Sequence, residues 1–132
     1  MDEKLFTLLQ NYCEKIEKSN KIIDRKNIPN TGGVYFIKNK VNNIIEYIGK
    51  AKNLNRRINS DHISGEKKIS TSTFRRKVSK NFNIKSGKDL RQYILENYDF
   101  YTIEIDDPDI RSLIEDLLIY KYRKVKHPLL ND

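Results

Sequence analysis

Apolar positions recur at a regular interval near the start of the chain and gather into short runs in its centre. Leu5, Leu8, Leu9, Tyr12 and Ile16 are spaced by three and four, which predicts an amphipathic helix over residues 3–18. Glu3, Lys4, Glu14, Lys15, Glu17 and Lys18 fill much of its other surface, and Cys13 adjoins the stripe as a small core residue. From Val34 the spaced pattern gives way to two short apolar runs. Residues 34–37 and 44–48 are β-branched and aromatic strand formers, and residues 38–43 between them supply turn chemistry. A hairpin centred on Val41 pairs Ile37 with Ile45, Tyr35 with Tyr47 and Gly33 with Gly49. Both phenols then share one face about 5 Å apart, and Val34, Phe36, Glu46 and Ile48 take the other.

Beyond the hairpin, Asn53 can cap a helix whose Leu54 and Ile58 turn inward. Arg57 then lies on the flank of the buried edge and Arg56 is angled away from it. Residues 65–72 read as a polar loop, and residues 73–80 as a short amphipathic segment with Phe74 and Val78 inward. Residues 86–97 predict a further helix burying Leu90, Tyr93 and Ile94, with Tyr98 also inward, and residues 100–105 alternate as a third strand. The acidic turn 106–109, with Pro108 in a first turn, opens a last helix over 110–124 with Ile110, Leu113, Ile114, Leu117 and Leu118 as its stripe. The elements sum to an α+β fold: a small three-stranded antiparallel sheet flanked by helices, with an extra N-terminal helix. Residues 1–27 form the helix and its connector, and residues 28–132 the main domain.

At 132 residues the chain holds one modest core. Lys and Arg number 26 against 18 Asp and Glu, a net charge of +8, and eight tyrosines accompany them. That balance favours a polyanionic partner, with nucleic acid first. Four cations within six residues, Arg75, Arg76, Lys77 and Lys80, suit phosphate contact without base readout. Cys13 is the single cysteine, so an internal disulfide and a Cys-based zinc site are excluded, and a reducing, cytoplasmic setting is expected. No apolar run approaches the ~20 residues of a membrane span, and no secretory leader is expected.

Two phenols on one hairpin face most often do no more than stabilise the sheet. Here a glycine stands at each end of the pair, where a backbone or ligand can approach, and a cationic segment follows at once. Gly33-Val34-Tyr35, then Tyr47-Ile48-Gly49, then Lys50-Ala51-Lys52-Asn53-Leu54 and Arg57, resemble the signature of the GIY-YIG nucleases, with the nearest local likeness in their excision-repair branch. Leu113-Ile114-Glu115 and Pro128-Leu129-Leu130-Asn131 are similar to the family's later motifs, so the resemblance spans residues 28–131.

The resemblance implies a divalent-metal-dependent DNA endonuclease in which one Mg²⁺ or Mn²⁺ ion is held by Glu115. Arg57 would donate to a phosphate oxygen, and a tyrosine, Tyr35 in preference to Tyr47, would accept the proton of the attacking water. Lys50 would supply positive charge beside the phenols, and Asn131 would position backbone or substrate phosphate. Helical spacing alone leaves Glu115 and Asp116 on opposite margins of the apolar stripe. His62 stands one residue later than the resemblance leads one to expect, as a phosphate contact, a support to the site, or a helix-end His with a structural or solvent role. Lys52, Arg56, His62, Arg75, Arg76, Lys77 and Lys80 complete the expected nucleic-acid surface. Cleavage is expected to be structure-directed or weakly selective, with a protein partner able to add specificity. The other reading is a nucleic-acid-binding or adaptor module that does not cut.

Overall fold

The computed structural model describes residues 2–65, 71–123 and 129–131. Its centre is a three-stranded antiparallel sheet in the order β2-β1-β3, with β1 spanning Gly33–Asn39, β2 Ile45–Ala51 and β3 Tyr98–Glu104. Because successive side chains of a strand point to opposite faces, β1 builds two cores at once. Val34 and Phe36 pack with Ile48, Tyr101 and Ile103 against α1 (Glu3–Glu17) and α4 (Pro108–Arg123). Tyr35 and Ile37 pack with Tyr47 and Phe100 against a π-type helix (Arg56–Ser64), α2 (Thr73–Phe82) and α3 (Gly87–Asn97). Among the described residues, no helix is long and apolar enough to cross a membrane.

The N-terminal helix buttresses one face of the sheet. Leu9 and Ile16 are buried there, while Glu17 accepts hydrogen bonds from Lys121 Nζ at 2.5 Å and Tyr122 Oη at 2.6 Å, and Tyr122 sets its ring edge-on to Phe36. The predicted stripes are only partly covered, since Leu8, Leu113 and Leu117 remain exposed. At α4, Asp107 caps the first turn as its sequence suggests, accepting from the amides of Asp109 and Ile110.

The hairpin register differs from expectation by two residues. Tyr35 lies opposite Gly49, Ile37 opposite Tyr47 and Gly33 opposite Ala51. The cause is local: β1 runs on to Asn39, the turn is closed by Asn39 N–H to Ile44 O and Asn43 N–H to Asn39 O, and Asn43 takes a left-handed φ of 57°. A bulge then leaves Glu46 unpaired between Ile45 and Tyr47. From Tyr47 onward an even slip keeps each paired side chain on its predicted face, so both phenols still share one. Before the bulge the faces exchange: Ile45, now opposite Lys38, packs on the Phe36 side, and Glu46 leaves it. Its carboxylate accepts from Tyr98 Oη at 3.2 Å, on the phenol side of the sheet instead of the Phe36 side.

Beyond the outer edge of β2 the tail returns. Asn131 uses its side-chain amide twice on Ile48, accepting from its N–H at 3.0 Å and donating to its carbonyl at 2.5 Å, and Leu130 N–H donates to Glu46 O at 2.6 Å. Pro128 lies outside the described residues, as do residues 66–70 of the expected loop and Lys124 at the expected end of the last helix.

Candidate active site

The close approach at Gly49 is made by the chain itself. A Cβ there would overlap the Tyr35 Cζ and Oη, so a bare backbone on β2 is what lets the Tyr35 phenol lie across the strand. At Gly33 the space is taken by the Ile103 carbonyl and Leu54. The Tyr35 and Tyr47 rings stack diagonally with centroids 6.2 Å apart, and both are buried, at 1% and 8% exposure. Gly49→Ala is therefore expected to expel the Tyr35 ring, lowering stability by about 1–3 kcal/mol and removing activity. Urea denaturation read beside a cleavage assay checks both effects.

Behind the phenols stands His62. In a π-type helix the N–H bonds to the fifth residue back, so residues five apart lie one above the other as residues four apart do in an α-helix. This widening carries His62, five residues after Arg57, onto the phenol side despite its late position in the sequence. His62 Nε2 meets Tyr35 Oη at 2.6 Å, and Nδ1 meets Ser72 Oγ at 2.5 Å. Ser72 caps α2, accepting from Arg75 N–H, and keeps its own hydroxyl proton to give. His62 is fully buried, and its burial, with Arg57 nearby, holds its pKa well below the usual imidazole range, so the ring is neutral.

Two expected nucleic-acid contacts are corrected here. His62 is enclosed among the aromatic rings of Tyr35, Tyr47 and Phe74 and cannot reach a phosphate. Arg75 is also buried, because its guanidinium donates to the His62 and Ile63 carbonyls that end the π-type helix and to Gly87 O. Gly65, at φ +65°, makes room for that guanidinium. Lys52, Arg56, Arg76 and Lys80 are exposed and Lys77 is half-buried.

Arg57 is half-buried beside the phenols. Its Nη1 donates to Asp61 Oδ2 at 3.1 Å and to the Thr71 carbonyl at 2.9 Å, which fixes the guanidinium. Burial works against its charge, but Tyr35, Asp61 and Tyr47 outweigh it and raise its pKa. The phenols move up as well. Burial is the main cause for both, while Arg57 draws each down and Glu115 adds to the rise.

Of the two neighbouring acids on α4, Glu115 is half-buried and Asp116 exposed. Burial raises the Glu115 carboxyl, Lys50 and Arg57 pull it back, and Asp116 adds to the rise. The α4 helix thus brings Glu115 within electrostatic reach of Tyr35, Tyr47, Lys50 and Arg57. Lys50 is exposed and anchors its ammonium on Ser112 Oγ at 2.8 Å, one turn before Glu115. Asn131 lies across β2, its amide occupied by the Ile48 backbone.

Among the described residues Glu115 enters no salt bridge, and no group of three or more His, Cys, Asp or Glu could hold a metal ion. A lone carboxylate suits a hard cation that keeps several of its waters, as Mg²⁺ does, and does not make a zinc site. Sequence reasoning overlooked Ser72, Asp61 and Ser112, which hold His62, Arg57 and Lys50 in place. Only Ser72 carried a signal, as a capping residue type just before an amphipathic segment.

The family model for the GIY-YIG catalytic domain matches residues 31–126. The chain belongs to the GIY-YIG catalytic-domain family. Among solved structures it is similar to the N-terminal GIY-YIG endonuclease domain of UvrC from Thermotoga maritima bound to magnesium, at 27% identity over 100% of both chains with a TM-score of 0.44. Two point mutants of that domain, each bound to its catalytic divalent cation, match at 26% identity with the same TM-score, covering 100% of this chain and 99% or 100% of theirs. No curated protein sequence gives a significant match. The assignment rests on the sequence match, and this chain is a nuclease-type catalytic domain.

Proposed function

We propose that this protein is a DNA endonuclease that hydrolyses phosphodiester bonds with the help of one divalent cation and with little sequence selectivity. The observation that carries the reading is the gathering of two buried phenols, a fixed guanidinium and one carboxylate from a distant helix. Glu115 would hold the cation, with water and phosphate oxygens as its other ligands. Bound there, Mg²⁺ supplies a Lewis acid for the phosphate and its leaving oxygen.

The chain's own groups do the rest. Arg57, held by Asp61 and Thr71, donates to a non-bridging oxygen where charge accumulates. Tyr35 is the general base. Burial opposes its phenolate, but a hydrogen bond donated by the Ser72 hydroxyl to His62 Nδ1 leaves the ring proton on Nε2, where it points at Tyr35 Oη and stabilises that phenolate. His62 is thus a positioning residue, while Tyr47 and Lys50 orient water and phosphate. Asn131 acts by fixing the β2 backbone that carries Tyr47 and Gly49. Lys52, Arg56, Arg76, Lys77 and Lys80 meet phosphates, which accounts for affinity without base readout. The test is nicking of supercoiled plasmid and branched DNA in Mg²⁺ or Mn²⁺. Cleavage that disappears with EDTA and in Glu115→Ala supports the reading, and binding without cleavage selects the non-cutting module.

A further inference from the structure

We propose that Phe82, backed by Tyr93 where two Lys- and Arg-rich helices meet, is a stacking platform for an unpaired strand of the DNA substrate. This rests on the nuclease reading and names the kind of DNA it prefers. Phe82 ends α2 with 50% of its surface exposed. One side of its ring is supported by Tyr93, at 4.9 Å between centroids and 35° between planes. Half of this large apolar side chain is left in water.

The position is held by the helix end. Asn83 takes a left-handed φ of 53°, its N–H donates to Lys80 O, and Ile84 N–H reaches Ser79 O at 2.9 Å, the paired bonds of a Schellman motif. Ser79 Oγ adds a bond to Ile84 O at 2.6 Å. The ring is preorganised, so little conformational entropy is lost when it is covered.

Charge says what covers it. Residues 73–97, α2 through α3, contain seven Lys or Arg and two acids, Asp89 and Glu96, and Glu46 lies within electrostatic reach of Tyr93. Arg75 is consumed inside the protein, but Lys80 and Lys85 flank Phe82 in sequence, and Lys88 and Arg91 are exposed on the next helix. A cationic surface around one supported aromatic face is the arrangement that binds single strands, with backbone phosphates on the cations and a base on the ring. Within a duplex the bases already stack on one another, so the ring is left to unpaired bases and strand ends.

The platform is linked to the site through the core. Ring contacts run from Tyr47 to Phe74 at 5.8 Å, to Tyr98 at 5.0 Å, to Tyr93 at 6.4 Å and on to Phe82. Along α2, Phe82 lies about 12 Å from the buried Phe74, whose ring meets that of Tyr47.

Fluorescence anisotropy in EDTA, where nothing is cut, compares a blunt duplex with the same duplex bearing a single-stranded arm that contains 2-aminopurine. Wild type binds the armed DNA more tightly and quenches the base. Phe82→Ala lowers affinity for the armed DNA by about ten-fold, brings the armed-to-blunt ratio near one and abolishes the quench, while Phe82→Trp keeps both. The platform is overturned if Phe82→Ala binds the armed DNA as wild type does, or loses equally on both DNAs. A wild type that binds the arm through Phe82 yet never cuts overturns only the nuclease reading.

Discussion

Replacing Glu115 with Ala or Gln abolishes plasmid nicking in Mg²⁺, lowering the rate by about three orders of magnitude, while binding in EDTA is retained. The carboxylate is the single acid that α4 turns toward Lys50, Arg57 and the phenols. A cation held by one protein ligand has no second side chain to keep it when that ligand is removed. Glu115→Gln preserves shape and deletes only charge, so its failure to cut cannot be ascribed to repacking. Asp116→Ala is the matched control: the residue is exposed, and its loss leaves the rate within about two-fold, the range expected of surface changes. Nicking by Glu115→Ala at the wild-type rate removes the proposed cation from the mechanism.

Tyr35→Phe is the second large effect, a loss of about 10²–10⁴ in turnover with little change in DNA affinity. The sign of the pH dependence follows from burial. The Tyr35 phenol is pushed above its ordinary value of about 10, so the reactive phenolate is scarce at neutral pH and grows with every unit of alkalinity. Wild-type turnover should climb through the mildly alkaline range without a plateau near neutrality, and Tyr35→Phe should flatten that climb. His62→Gln, which replaces a donor supported by Ser72 with a free amide, should reduce turnover and displace the profile to higher pH. If Tyr47→Phe removes the slope and Tyr35→Phe keeps it, the base is Tyr47.

How far these features could be read from the chain depended on whether local pattern decided them. The short run of β-branched and aromatic residues Val34, Tyr35, Phe36 and Ile37 was sufficient for the strand, and the side-chain alternation of any strand then separated its faces. The register was not legible. The Glu46 bulge and the length of β1 depend on pairing with Asn39 and Ile44 that no spacing rule declares. Likewise, the π-type widening that seats His62 under Tyr35 has no sequence signature of its own. A run such as Arg75-Arg76-Lys77 looks uniformly cationic, yet the helix phase and the open carbonyls at the end of the preceding helix draw Arg75 inside and leave Arg76 out. Glu115 and Asp116 were separable only by where α4 rests on the sheet.

The tail that crosses β2 has a colloidal consequence. As the outermost strand, β2 would present unmet amides and carbonyls to any extended polypeptide nearby. Leu130 and Asn131 satisfy part of that row from within the molecule, acting as a stopper against strand-to-strand recruitment. Shortening the chain before these residues would uncover the border and favour aggregates that grow by adding strands.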